Sequence, residues 1–222
     1  MIRYLVWRLL FEACNITRLF GHGPDRIYYL AFGANLSDEI LRQRRIRPFA
    51  VEPFTLRDHA LRFDHPAPWE GCGFASAEPA PGESLHGFLY ALSGRDAARM
   101  DFYEVVPILN RYRRTYVEQD GRRLYFYQTN RSTPDLRPTD EYLGFITEGL
   151  ESHPGASDDY RSMIAAIETA ERGNMVASYI SPQPENRPLW LQKIDGSYQK
   201  IAVMIFLSLI YKYSLTAFLI HR

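Results

Sequence analysis

The sequence predicts an α+β fold, with strands in the first half of the chain and helices in the second. Short apolar and aromatic runs, separated by turn residues, fill the region from Ile27 to Thr129. Apolar residues then recur at helical spacing from Pro138 to Ile167. Because strands and helices do not alternate, the sequence does not predict a doubly wound parallel sheet.

Composition is that of a globular protein: 222 residues, of which 46% are hydrophobic and 23% charged. The formal net charge of +0 gives no global field that would attract nucleic acid or an anionic membrane. Cys14 and Cys72 lie far apart and without metal-ligand spacing. We therefore predict no disulfide framework, no zinc site and a reducing, cytoplasmic compartment.

Three regions are predicted along the chain: an N-terminal amphipathic extension (1–25), a folded domain (26–180), and a linker with a hydrophobic tail (181–222). The first region carries apolar residues interrupted by Arg3 and Arg8, so it lacks the unbroken apolar core of a signal peptide. We expect it to form an amphipathic helix that packs on the domain or lies on a surface.

The tail segment 201–220 is long enough to cross a bilayer as a helix. Lys212 near its middle costs roughly 2.5–3.5 kcal/mol, which the surrounding apolar residues offset. A membrane anchor, a docked amphipathic helix and a terminus of different origin all remain open. The last option is motivated by the lysines, which occur only at Lys193, Lys200 and Lys212.

The first predicted strand is the apolar run Ile27–Ala31, which stops at the turn Gly33-Ala34-Asn35. Asn35 or Ser37 can cap a short helix, because two acidic residues follow where the helix dipole favours negative charge. Glycine at such a turn admits close backbone approach, and consecutive amides leaving a strand can bind a carboxylate or a developing oxyanion. An ordinary strand-to-helix turn is the alternative.

Further strands are predicted on both sides of a helix. One or two strands fit 49–63, and short strands fit 71–77 and 85–92, separated by a proline- and glycine-rich loop at 79–82. The dipeptide Asp120-Gly121 suits a tight turn between two aromatic-rich strands, 111–118 and 122–129.

Two helices are predicted in the second half of the domain. Pro138 and Thr139 open the first, which carries Tyr142 in its first turn. A longer one runs from near Ser157 to Gly173, where glycine favours termination.

The helix after Ser93 places a carboxylate on an apolar face. Asp96 follows the serine by three residues, as in a capping box. Ala97, Met100 and Glu104 then share one face, because they are spaced three and four residues apart. A carboxylate on that face must be paired, protonated or catalytic, since its burial alone is costly.

Glu104 therefore has two interpretations. In an apolar site it suits a general base that works near neutral pH. Alternatively it ends the helix and reaches solvent, or pairs with Arg111, Arg113 or Arg114. The sequence has no GxGxxG, phosphate loop or serine nucleophile elbow. The scattered histidines, which lack metal-ligand spacing and which we expect to be structural, are His59, His65 and His86.

The ordered set of motifs resembles the γ-glutamylcyclotransferase-like (AIG2-like) family across about residues 26–172. The family's strand-and-loop Tyr-Gly-Ser-Asn motif is resembled by Tyr29–Leu36, and its Leu-Asp-x-x-Glu-Gly helix end by Met100–Glu104. The remaining matches are Gly73–Pro79, Leu85–Tyr90, Tyr112–Arg114 and Pro138–Tyr142.

This resemblance implies a small, partly closed mixed β-barrel with flanking helices. It also implies cyclisation of a γ-glutamyl group to 5-oxoproline, with release of an amine or amino acid and without a metal or cofactor. Glu104 would be the general acid/base and Tyr142 would hydrogen-bond the small-molecule substrate. The loop residues that the resemblance assigns to substrate binding are Tyr29, Leu30, Ala31, Phe32, Gly33, Ala34 and Asn35.

Three positions depart from the family pattern. Phe32 replaces a tyrosine and Ala34 a serine, so two hydroxyl groups are lost. Val105 replaces the glycine that usually follows the acid. These departures leave open a second interpretation, in which the chain is a non-catalytic binding or regulatory module of the same fold. A third is a membrane-tethered interaction protein whose tail matters more than its pocket.

Overall fold

A computed structural model describes residues 26–104, 112–153, 155–174 and 176. Five strands form one mixed sheet in the order β2-β3-β1-β5-β4. The strands are β1 (Ile27–Ala31), β2 (Ala50–Pro66), β3 (Gly73–Leu92), β4 (Tyr112–Gln119) and β5 (Arg122–Thr129). The helices are α1 (Asp38–Gln43), α2 (Gly94–Tyr103), α3 (Asp140–Ser152) and α4 (Asp158–Ala165). The predicted α+β class is confirmed.

The central strand, β1, is buried on both faces. It pairs antiparallel with β3 and parallel with β5. Because successive side chains point to opposite faces, Tyr29 and Ala31 enter the core layer beneath the helices. Leu30 and Phe32 enter a second apolar layer on the other face of the sheet. The strand therefore carries its C-terminal end, and the turn that follows, into the interior of the molecule.

The predicted loop at 79–82 is wrong, because residues 73–92 form the single long strand β3. Pro79 pairs with His59 of β2, while β1 pairs only with the distal end of β3, Phe88–Leu92. The proline-bearing part therefore has one free edge, where a missing N–H donor is tolerated. Gly82 takes a positive φ of 82°, and its N–H donates to the Asp58 carboxylate.

The sheet is not closed into a barrel, which corrects the partly closed barrel that the family resemblance implies. In the described part of the chain, β2 and β4 share no ladder of backbone hydrogen bonds. The Gln119 side chain of β4 reaches the backbone of β2: its Nε2 donates to the Thr55 carbonyl (2.8 Å), and its Oε1 accepts from the Arg57 N–H (3.1 Å). The sheet curls, and its two edges approach each other through side chains, which include this carboxamide and the stacked rings of His65 and Tyr112.

Several local predictions are confirmed. Asp120 and Gly121 both take positive φ (54° and 72°) in the turn between β4 and β5. The Thr139 side chain caps α3 by accepting from the Tyr142 N–H. Helix α4 begins after its predicted cap Ser157, but it ends at Ala165, well before the predicted glycine.

A 3-10 turn, Ala34–Leu36, leads from β1 into α1. Helix α3 lies against this turn at Gly149, where a Cβ atom would fall 2.3 Å from the Leu36 Cβ. Only glycine permits this approach, so α3 supports the turn directly. Tyr142, in the first turn of the same helix, is thereby fixed relative to the loop after β1.

The terminal regions at 1–25 and 181–222 lie outside the described residues, as do Val105 and Arg111. Within the described ranges no helix combines the length and apolarity that a membrane crossing requires. The predicted tail segment 201–220 is outside those ranges.

Candidate functional site

The loop after β1 and the end of α2 meet at a cavity of about 360 Å³. The predicted site residues on its wall are Tyr29, Phe32, Gly33, Ala34, Asn35, Glu104 and Tyr142. Two further predicted residues, Leu30 and Ala31, are fully buried in the core and are not on the wall. Chain segments far apart in sequence are thus brought together at one site.

Glu104 sits at the end of α2, where its N–H donates to the Met100 carbonyl (3.0 Å). The other two residues of the predicted apolar face, Ala97 and Met100, are completely buried. The carboxylate itself is largely buried, with 15% of the side chain exposed. The spacing argument therefore gave the correct face, and the carboxylate points into the cavity rather than away from the domain.

The cation that pairs with Glu104 is Arg44, which follows α1. Arg44 Nη1 lies 2.7 Å from Glu104 Oε1. Two of the three arginines considered from sequence are described, and both lie elsewhere: Arg114 pairs with Asp101, and Arg113 donates to residues at the end of β5. No local pattern indicated Arg44, because it approaches Glu104 only through the fold.

Asn35 organises this cluster. Its Nδ2 donates to the Tyr29 hydroxyl (2.7 Å) and to Glu104 Oε1 (3.2 Å), and its Oδ1 accepts from Arg44 Nη1 (2.6 Å). Tyr29 is held protonated, since burial and then the nearby Glu104 charge raise its pKa well above the ordinary value. The network fixes Glu104 Oε1, whereas Oε2 has no hydrogen-bond partner among the described residues.

The structure leaves little room for a side chain at Gly33. A Cβ atom there would fall 3.0 Å from the Tyr142 hydroxyl and 3.0 Å from the Ala75 Cβ. Gly33 and Asn35 both lie on the cavity wall. Close approach of a ligand to the backbone of this turn stays a prediction.

Two departures from the family pattern can be located. Phe32 is buried, and its ring packs edge-on against Phe126 at a centroid distance of 6.4 Å. Ala34 is on the cavity wall and brings no polar side-chain atom. Neither position offers a hydroxyl group to a ligand.

Tyr142 supplies a hydroxyl group from the opposite side. Its oxygen accepts from the Ala75 N–H (3.1 Å), and its own hydrogen has no acceptor in the parts of the chain that the structure describes. Burial raises the pKa of Tyr142 to about 12, although hydrogen bonds from the Ala75 and Ala34 backbone oppose the rise. The group is therefore a neutral hydrogen-bond donor near physiological pH.

The rest of the wall is mainly aromatic, and sequence reasoning did not assign it to the site. These residues are Ile40, His65, Phe74, Ala75, Tyr103, Tyr112, Tyr127 and Phe145. The His65 ring stacks on Tyr112 at 3.9 Å, and its Nδ1 is 2.8 Å from the Thr129 hydroxyl. Their positions on several strands and helices left no single motif to find.

Metal binding has no obvious location in the described residues, where no three His, Cys, Asp or Glu side chains converge on one point. The polar groups at the cavity are instead one carboxylate, one guanidinium, one amide, one imidazole and several tyrosine hydroxyls. This set can exchange a proton, donate to oxygen atoms and neutralise a carboxylate.

Solved structures share this architecture. A gamma-glutamyl cyclotransferase superposes with a TM-score of 0.57 at 22% identity, over 70% of this chain and 95% of that one. An uncharacterized protein from Homo sapiens gives a TM-score of 0.56, with the same identity and coverage. YkqA from Bacillus subtilis gives 0.53 at 19% identity, over 72% of this chain and 60% of its own.

Sequence comparison alone does not detect this similarity. The chain matches no protein-family model, and no curated protein sequence is significantly similar to it. At the identities above, the structural likeness establishes the fold: the chain has the γ-glutamylcyclotransferase-like fold. The resemblance inferred from the order of the motifs is confirmed at that level.

Proposed function

We propose that the protein cyclises a γ-glutamyl group to 5-oxoproline and releases an amine or amino acid. The observation that carries this proposal is the carboxylate of Glu104, which is fixed through Oε1 and leaves Oε2 unpaired among the described residues, at an aromatic cavity. A fixed carboxylate with one free oxygen is suited to accept and return a proton.

The reaction would proceed through one proton acceptor. Glu104 Oε2 takes a proton from the substrate α-ammonium, and the freed amine attacks the γ-carbonyl carbon to close the five-membered ring. Glu104 returns this proton to the leaving nitrogen as the original C–N bond breaks, and it then carries the surplus proton of the ring nitrogen to the released amine, which departs as an ammonium ion. Because one amide bond forms as another breaks, the reaction needs no redox partner, and its main requirement is orientation.

Charge that develops on the γ-carbonyl oxygen needs hydrogen-bond donors. The candidates are the Gly33 and Asn35 N–H groups and the Tyr142 hydroxyl, which belong to residues on the wall of one cavity. Tyr142 is suited to the task because its high pKa keeps it protonated. The loop after β1 would also orient the glutamyl group, and the aromatic wall would contact the leaving group.

The test uses the full chain with a panel of γ-glutamyl dipeptides and γ-glutamyl amines. Release of 5-oxoproline is measured for the native sequence, for Glu104→Gln, and for Glu83→Gln. Glu83 is the matched control, because its carboxylate is exposed and pairs with Arg62 on the surface.

We expect product from at least one panel member, a severe loss in Glu104→Gln and none in Glu83→Gln. Activity that survives Glu104→Gln would overturn the assigned role. If no panel member gives product but γ-glutamyl compounds still bind, the chain is a binding module of the same fold. The loss of hydroxyl groups at Phe32 and Ala34 is the observation that favours that alternative.

Localisation is a separate proposal. We propose that the protein is cytoplasmic, which its two widely separated cysteines support, and that any membrane association depends on 201–220. Fusing residues 201–222 to a soluble fluorescent reporter tests this, and a reporter that stays wholly in the cytosolic fraction would exclude anchoring.

A further inference from the structure

Arg44 has only part of its hydrogen-bonding capacity in use. Nη1 makes both contacts of the guanidinium with oxygen atoms of described residues, Asn35 Oδ1 at 2.6 Å and Glu104 Oε1 at 2.7 Å, and it also lies 3.5 Å from the Met100 sulfur. In the described part of the chain, Nε and Nη2 have no acceptor. The side chain is only 19% exposed and lies on the cavity wall.

A second arginine in the same protein shows what the Nε and Nη2 atoms, which form one edge of the guanidinium, can bind. Arg114 Nε donates to Asp101 Oδ1 and its Nη2 to Asp101 Oδ2, each at 2.8 Å. The two N–H groups of this edge are parallel, and they match the two oxygens of a carboxylate. The corresponding edge of Arg44 is unoccupied by protein groups among the described residues.

The orientation of Arg44 is fixed without a ligand. Its guanidinium carbon lies 4.9 Å from the centre of the Tyr103 ring, and Nη1 is held by Asn35 and Glu104. A guanidinium held this way loses little conformational freedom when it binds an anion, so its remaining donors are preorganised for one.

We propose that the Nε–Nη2 edge of Arg44 binds the α-carboxylate of the γ-glutamyl substrate, which makes Arg44 a specificity-determining residue. This inference rests on the proposed function. The α-ammonium and α-carboxylate of a glutamyl group are attached to one carbon, and here the proton acceptor and the free guanidinium edge belong to directly paired side chains. The pair and the substrate zwitterion are both neutral, so binding places opposite charges together without leaving a net charge in the cavity.

Substrate analogues separate this role from a purely structural one. Rates of 5-oxoproline or 5-oxoprolinamide formation are measured for a γ-glutamyl substrate and for its α-carboxamide. Both are tested with the native chain, Arg44→Gln, Arg44→Lys and the surface control Arg62→Gln. Circular dichroism and thermal melting confirm that each variant is folded.

For the native chain, we expect kcat/KM to fall about ten- to hundredfold when the α-carboxylate becomes an amide, as expected for loss of charge-assisted hydrogen bonds. In Arg44→Gln this difference should shrink to within about threefold, and Arg62→Gln should behave like the native chain. Arg44→Lys should recover part of the discrimination, because lysine keeps the charge but not the planar edge.

Several results would overturn the inference. An equal loss on both substrates in Arg44→Gln would mean that Arg44 only positions Glu104. A loss confined to γ-glutamyl amino acids, and absent for γ-glutamyl amines, would assign the edge to a carboxylate on the leaving group.

Binding of 5-oxoproline by calorimetry keeps the test separate from turnover. If the native chain is inactive but binds 5-oxoproline at least tenfold more tightly than Arg44→Gln does, the carboxylate site stands and the proposed reaction fails. Equal binding by both chains would overturn the site, and no binding together with no turnover would overturn both.

Discussion

Two carboxylate–arginine pairs lie close together at the end of α2, and they differ in how completely they are satisfied. In the Asp101–Arg114 pair both carboxylate oxygens accept from the guanidinium, and the Tyr127 hydroxyl donates to Asp101 as well. In the Glu104–Arg44 pair one oxygen and one nitrogen make the contact. The same two functional groups therefore form a closed structural pair and, three residues on, a pair with capacity left for a ligand.

Burial alone would not have separated them. The side chains of the first pair are 6% and 11% exposed and those of the second 19% and 15%. The two pairs differ in how many of their hydrogen-bond donors and acceptors are already in use. A buried polar group that is fully paired has no donor or acceptor left for a substrate. Predictions that treat the two pairs differently test this distinction.

The largest expected effect is on catalysis at the open pair. Glu104→Gln should lower kcat by about 10²–10⁴, the usual contribution of general acid–base catalysis. Folding stability should change by only about 1 kcal/mol, because the amide oxygen can still accept from Arg44. Steady-state kinetics and urea unfolding of the same preparation check both statements, and a large stability loss with intact kcat would reverse the assignment of the two pairs.

The next effect is on stability at the closed pair. Arg114→Gln leaves the buried Asp101 carboxylate without its bidentate partner and should destabilise the fold by about 3–5 kcal/mol. Arg44→Gln should cost about 1 kcal/mol, because Glu104 faces the cavity and can be hydrated. Urea unfolding measures both variants, and equal losses would show that the two pairs are energetically alike.

A smaller effect on stability is expected when the Tyr142 hydroxyl at the cavity is removed. Tyr142→Phe removes the acceptor of the Ala75 N–H and should destabilise the fold by about 1–3 kcal/mol. Tyr28→Phe is the matched control, since the Tyr28 hydroxyl makes no hydrogen bond within the described ranges, and its stability should stay within about 0.5 kcal/mol of the native value. Indistinguishable unfolding curves for the two variants would contradict the anchored position of Tyr142.

The smallest expected effect is a dependence of folding stability on pH, which comes from buried tyrosines near the two pairs. Burial raises the pKa of Tyr142 to about 12 and that of Tyr29 and Tyr127 well above the ordinary value near 10. These groups stay protonated in the folded state while the unfolded chain ionises. Their contribution to stability is thus complete below pH 10 and is lost as the pH rises above 10, through about pH 12 in the case of Tyr142.

Each such tyrosine should lower the unfolding free energy by about 1.4 kcal/mol per pH unit in that window. Urea unfolding at pH 8, 10 and 11 measures the loss, and tyrosinate absorbance reports ionisation directly. Ionisation of all tyrosines near pH 10 in the folded protein, without loss of stability, would rule out this account.

Local sequence patterns predicted most elements near the site. β1 has the predicted bounds, because an apolar run followed by Gly33 is a local signal. The spacing of Ala97, Met100 and Glu104 likewise gave the right face of α2. Each of these inferences depends only on the geometry of one element.

What sequence could not supply was non-local. Nothing near Glu104 in sequence indicates Arg44, and the aromatic wall is gathered from separate strands and helices. Pro79 suggested a loop because proline lacks an N–H group, yet β3 continues there beside a free edge. In each case the deciding contact comes from a distant part of the chain.

The carboxamide of Gln119 has a consequence for how the molecule behaves in a crowded solution. It donates to the Thr55 carbonyl and accepts from the Arg57 N–H, as a peptide group of a neighbouring strand would. An open sheet edge is a template on which another chain can add a strand and begin to aggregate. By occupying this stretch of β2 with its own side chain, the protein removes two of the hydrogen-bonding positions that such an intruding strand would need.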